Sequence, residues 1–112
     1  MPRVFVVQEQ PHMNISPAMD YGKLVYMIGP GEHGFNPKRA IDTYRACLQE
    51  HSFECGDFLL LIGDPILIGC AVAITDQWLQ SRYGTCTPES LNVLKWDREN
   101  KIYIHLELPL AI

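Results

Sequence analysis

The sequence predicts an α/β fold: a single domain over residues 1–112, with a mixed, mostly parallel sheet, two main helices and a C-terminal antiparallel hairpin. Three observations predict it. Apolar runs rich in β-branched and aromatic residues alternate with two longer helical stretches. Each helical stretch opens on an Asx-Pro pair placed just after a strand-like run. The last apolar segment alternates with period two, as a half-solvated antiparallel strand does. The expected order is β-β-α-β-α-β-β.

Residues 3–8 (RVFVVQ) are the first strand. Residues 9–22 hold Pro11, Asn14, Ser16, Pro17 and Gly22 and read as a loop, long enough to cover a pocket or a sheet edge. Residues 23–28 (KLVYMI) are the second strand, followed by a Gly-rich loop over 29–36. Asn36 caps a helix that Pro37 begins and that runs to about His51, with Ile41, Tyr44 and Leu48 on one face. The centre of the chain is residues 57–80, DFLLLIGDPILIGCAVAITDQWLQ. It reads as a buried strand over 58–62, a turn at 63–65 and a helix from Pro65 to about Gln80. That helix is apolar nearly all round in its first half, which predicts burial on more than one side, with close packing at Gly69. A polar loop over 81–90 leads to strands at 91–96 and 102–108, joined by the charged turn 97–101. Strand–helix–strand connections are right-handed and favour parallel neighbours, so strands two, three and four should be mostly parallel. The first strand sits centrally or on the far edge.

At 112 residues the chain supports one modest core. Its net charge of -4 argues against general nucleic-acid binding. No run reaches the roughly 18–20 apolar residues of a membrane span, and residues 1–8 do not read as a signal peptide. Cys47, Cys55, Cys70 and Cys86 are irregularly spaced, which reads as reduced thiols and a cytoplasmic protein.

Two loops follow strands and open helices, which places them at the carboxyl edge where open α/β sheets bind ligands. Gly29, Gly31, His33, Gly34, Asn36, Gly63 and Asp64 are the ligand or partner candidates there. Free amides at a helix start suit an anion, but neither loop carries GxGxxG or the Walker pattern, and glycine serves turn geometry equally well. Glu32 with Asp64 offers paired carboxylates, and His33 with Asp64 a base and its orienter, but no nucleophile motif accompanies them. Cys47, His51 and Cys55 recur every four residues without the CxxC pairs of structural zinc sites, so no metal and no cofactor is expected. Trp96, Tyr103 and His105, with Lys95, Arg98 and Lys101, form a small basic-aromatic patch on the end hairpin. Together with Leu110 and Ile112 of the apolar tail, these aromatic residues are the interface candidates. An edge strand, an apolar tail and an apolar helix point to a homodimer.

The segments RVFVVQE, DFLLLIGDPILIG and LKWDRENKIYI resemble those of small α/β proteins encoded by bacteriophages and prophages. The resemblance covers most of the chain and brings no catalytic motif. It implies a protein acting in the cytoplasm of an infected or lysogenic host. The expected function is a non-enzymatic interaction protein with a host or phage partner. The alternative is a nucleotide- or small-anion-binding, Rossmann-like domain, with or without hydrolysis, using loops 29–36 and 63–65.

Overall fold

The computed structural model describes residues 1–32 and 34–110. The elements come in the expected order: β1 (Arg3–Val6), β2 (Lys23–Tyr26), α1 (Pro37–His51), β3 (Phe58–Leu60), α2 (Pro65–Tyr83), β4 (Ser90–Asp97) and β5 (Ile102–Pro109). Ladder bonds continue past the strand ends, with Val7 N donating to Leu60 O and Glu9 N to Ile28 O. Both helices start as their residues dictate. Asn36 Oδ1 accepts from Arg39 N at 3.1 Å and Asp64 Oδ1 from Ile66 N at 2.8 Å, each ahead of a proline that has no amide to satisfy. Helix α1 ends with Ser52 in the left-handed region (φ 50), while Phe53 N reaches back to Leu48 O and Ser52 N to Gln49 O. Helix α2 runs on to Tyr83 rather than stopping near Gln80.

The sheet order is β2-β1-β3-β4-β5. Strands β2, β1, β3 and β4 are parallel, and β5 is antiparallel to β4. Strand β1 therefore lies inside the sheet, between β2 and β3. This order dictates which face each connection covers. The β2–β3 and β3–β4 crossovers step in one direction, and right-handedness puts both helices on one face. The β1–β2 connection steps the other way and belongs on the opposite face.

The side chains follow. Phe5, Leu59 and Val93 pack with Tyr44 and Leu48 of α1 and Leu67, Ala71 and Leu79 of α2. Val4, Val6, Leu60 and Leu94 pack with Ile15 and Ala18 of the 9–22 connection, which folds into a short 3-10 helix over Ser16–Asp20. That connection covers a face of the sheet, not its edge. The two faces are thus unequal: two helices cover one, and a loop covers the other.

A buried clasp joins β1 to the end of α1. The Asp57 carboxylate, 4% exposed, accepts from Arg3 N (2.9 Å), Arg3 Nη2 (2.8 Å) and Glu54 N (2.8 Å). Arg3 Nη1 and Nη2 also donate to the carbonyls of His51 and Ser52 at 2.5 and 3.1 Å.

Two expectations are corrected. Helix α2 is not enclosed: Ile66 is 51% exposed, Gly69 is exposed, and a Cβ at Gly69 would meet nothing within 4 Å. Among the described residues, α1 is the one long helix beside α2 in its layer, and no further crossover helix is present. On β5, period two holds, but the apolar face is only partly covered, with Ile104 and Leu108 half-buried, and the opposite face is buried at Tyr103 while His105 and Glu107 are exposed. Tyr103 is 4% exposed beside Trp96, whereas Ile102 and Leu106 on the helix side are 51% and 44% exposed. The helices end above β4, and the connection from β1 to β2 supplies the cover that Tyr103 uses: Tyr21 Oη donates to Tyr103 O at 3.1 Å.

Candidate functional site

Strand β1 leads to β2 on one side, while β3 leads through α2 to β4 on the other. The carboxyl edge between β1 and β3 is therefore the point where the winding reverses, the usual ligand crevice of such sheets. Here Gln8 occupies it. Gln8 follows β1, is 3% exposed, accepts from Asp64 N at 2.9 Å through Oε1 and donates to Glu32 O at 2.7 Å through Nε2. One side-chain amide thus ties the end of β1 to the loops that follow β2 and β3.

Gly63 makes room for it. Its φ is +118, and a Cβ there would come within 2.6 Å of Gln8 Cβ. Gly34 also packs into this knot, where a Cβ would stand 2.8 Å from Asp64 Oδ1. The structure therefore brings Gly34, Gly63 and Asp64 together. The amide that Asp64 could offer an anion is taken by Gln8, and that of Ile66 by the Asp64 carboxylate.

The other candidates lie to one side. Gly29 and Asn36 line a cleft of about 220 Å³ with Glu32, Arg39, Thr43 and Leu67. Arg39 and Glu32 form an exposed ion pair at 3.8 Å across its mouth. Gly31 has open space around it, and His33 lies outside the described residues. Glu32 pairs with Arg39, whereas the Asp64 carboxylate accepts from Ile66 N. Sequence reasoning missed Gln8, whose signal was a lone amide closing an apolar strand, and it missed Arg39, hidden among the charges of α1.

Burial tunes the titrating groups behind this edge. Tyr44, whose hydroxyl donates to Val7 O at 3.1 Å, has its phenol pushed up by burial and, less strongly, by Cys70 and Asp64. Burial pushes the Cys47 thiol up to about 11, with Glu50 adding to it. A raised thiol pKa means a less nucleophilic, less metal-prone sulfur at neutral pH. His51 turns its ring edge to Phe5, with centroids 5.9 Å apart, and Cys55 is exposed. No group of three or more His, Cys, Asp or Glu side chains arranged for a metal is found among the described residues.

The hairpin candidates sit far from this edge in role. Trp96 is half-buried, and its ring stacks at 4.9 Å and a tilt of 59° on Tyr103. His105 is exposed, 2.9 Å from Asn92 Oδ1 and edge-on to Phe58 at 5.1 Å. Leu110 is 8% exposed, its amide bound to Glu89 O at 3.0 Å, so it docks on its own sheet. Burial of Tyr103 and Leu110 leaves them little surface for a partner. Ile112 lies outside the described residues.

Compared with known proteins, residues 2–110 match the model of the phage Pam3 gp32-like protein family. No curated protein matches the chain, and no solved structure does. Among the described residues no helix is long and apolar enough to cross a membrane.

Proposed function

The chain belongs to the phage Pam3 gp32-like protein family, and from that premise we propose that it is a non-enzymatic interaction protein, a homodimer that binds a host or phage macromolecule in the host cytoplasm. The observation that carries this reading is β5. It is an eight-residue strand at the end of the sheet, and no strand of the described chain pairs with its outer side. Natural edge strands are normally short, bulged or charged. This one exposes Ile102 and Leu106. Antiparallel pairing of β5 with its copy across a two-fold axis satisfies the open backbone groups and sets Ile102 and Leu106 of both copies on one continuous sheet face.

Native mass spectrometry of the freshly purified protein tests it. The expected species is twice the 12.8 kDa chain with no added mass. Leu106→Lys should yield a monomer with an unchanged circular-dichroism spectrum, because it sets like charges near each other across the axis. A monomeric native protein, or a retained nucleotide or metal, would sink the reading.

The second reading, a nucleotide or small-anion site, draws support from the Arg39 cleft alone. It requires a rise in Tm with nucleotide or phosphate, since a ligand of the native state must stabilise it. Gln8 and Asp64 already fill the anion-binding amides, which weighs against that rise.

A further inference from the structure

Among the described residues, no helix covers the helix side of β5 from Ile102 to Leu106. Helices α1 and α2 each arise from a crossover between parallel strands. Strands β4 and β5 are joined by a tight turn instead, in which the Asp97 carboxylate binds the amides of Glu99 and Asn100. No crossover exists to cover β5. The result is a step. Helix α2 stands above the sheet, and beside it lies a floor of Ile102, Ile104 and Leu106, with Lys95 opposite Ile104 in the ladder. The wall of the step is apolar too. Cys70, Ile74 and Gln77 lie on the α1 side of α2, so helical spacing turns Ile68 and Val72 toward β5, both half-buried.

The charges around this step have one bias. The chain carries a net charge of -4, yet Lys95, Arg98 and Lys101 lie within one short stretch and form none of the ion pairs among the described residues. Of the two carboxylates in that stretch, Asp97 is held by its own turn, with Lys95 near enough to help lower its pKa, and Glu99 is exposed. An open cleft of about 540 Å³, lined by Lys95, Trp96, Asp97, Arg98, Glu99 and Ile104, marks the corner where floor and charges meet.

We propose that this step seats an amphipathic α-helix of a partner protein, its apolar stripe on Ile102, Ile104 and Leu106 and its acidic flank toward Lys95, Arg98 and Lys101. The proposal rests on the reading of the chain as an interaction protein and names the partner's chemistry. The dimensions agree. A helix about 10 Å across fills a recess one helix layer deep. The floor from Ile102 to Leu106 spans roughly 14 Å at about 3.4 Å per residue, which roughly nine helical residues at 1.5 Å each would cover.

The test uses the full chain, labelled with nitrogen-15, and two synthetic helical peptides. Both carry leucines at i, i+3, i+4 and i+7, one with glutamates flanking the stripe and one with lysines. The glutamate peptide should shift the amides of Lys95 and of residues 102–106 and bind at least tenfold more tightly than the lysine peptide. Lys95→Glu with Arg98→Glu should reverse that preference. Leu106→Ala, a truncation at an exposed site, should weaken binding severalfold without touching the fold. Equal binding of both peptides, shifts centred elsewhere, or no binding at about 1 mM peptide overturns the proposal. So does a floor already protected in a native dimer, because a second copy then occupies it. A dimer that passes native mass spectrometry but fails the peptide test leaves the interaction reading standing and removes only this docking site.

Discussion

Asp57→Asn isolates the clasp that anchors β1. The substitution keeps volume and removes a charge that is 4% exposed. In the native protein its two oxygens accept from the Arg3 guanidinium, Arg3 N and Glu54 N. An asparagine amide turned either way sets an NH2 group against donors, so at least one contact becomes repulsive. Removing one partner of a buried ion pair costs roughly 3–5 kcal/mol. The Arg3 side chain is 25% exposed and keeps its bonds to His51 O and Ser52 O, which places the loss near the lower end, about 3 kcal/mol. With a urea slope of about 2 kcal/mol per molar, the midpoint should fall by about 1.5 M. Urea titration followed by circular dichroism reads this directly. A midpoint within about 0.3 M of the unsubstituted protein would refute the claim that the clasp holds β1 in place. Should Asp57→Asn fail to fold, Arg3→Lys supplies the measurement. It keeps the charge, loses the planar fork, and should cost about 1–2 kcal/mol.

Gly63→Ala should destabilise by about 2 kcal/mol or more, from the positive φ and the close approach of Gln8. Gly69→Ala, in open space on an exposed helix face, should stabilise by up to about 1 kcal/mol, and thermal melts of the two variants should move in opposite directions. Tyr103→Phe should be neutral or stabilising by about 1 kcal/mol, because the Tyr103 hydroxyl is buried with no hydrogen-bond partner among the described residues. For Cys47, the unfolded thiol loses its proton near 9.0 while the folded one holds it to about 11. Its contribution is therefore complete below pH 9 and lost as pH rises through 11, at most about 2–3 kcal/mol. Denaturation midpoints at pH 8 and pH 11 should converge in part in Cys47→Ala, with the raised Tyr44 phenol supplying the same sign above pH 10.

Local chemistry made the helix starts legible. Asn36-Pro37 and Asp64-Pro65 carry cap and first-turn proline together, and both caps form as their residues require. The mixed sheet followed from the alternation of runs, and the match to a phage family agrees with the resemblance in the three quoted segments. Period two shows which residues of β5 share a face, but not which face is covered. That depended on the direction of the β1–β2 crossover, and hence on the position of β1, which its own residues do not encode. The candidate edge was legible as two loops, since each follows a strand and opens a helix. Its plug was not, because Gln8 acquires its role only when residues far apart in sequence converge on it.

The interior position of β1 also bears on how the chain reaches its fold. Phe5 stands opposite Val25 on one side and Leu59 on the other. A strand that precedes all the others thus becomes the axis of the sheet, yet most of what encloses it comes from later residues. After β2 has formed, the pair still has one flank and one face open until α1 and β3 arrive. Non-local parallel pairing of this kind closes its loops at high entropic cost and slows folding. On the ribosome, the flank of β1 that β3 will occupy must wait unpaired while more than half of the chain is made, the interval in which chaperone binding and mispairing compete most strongly with the native sheet.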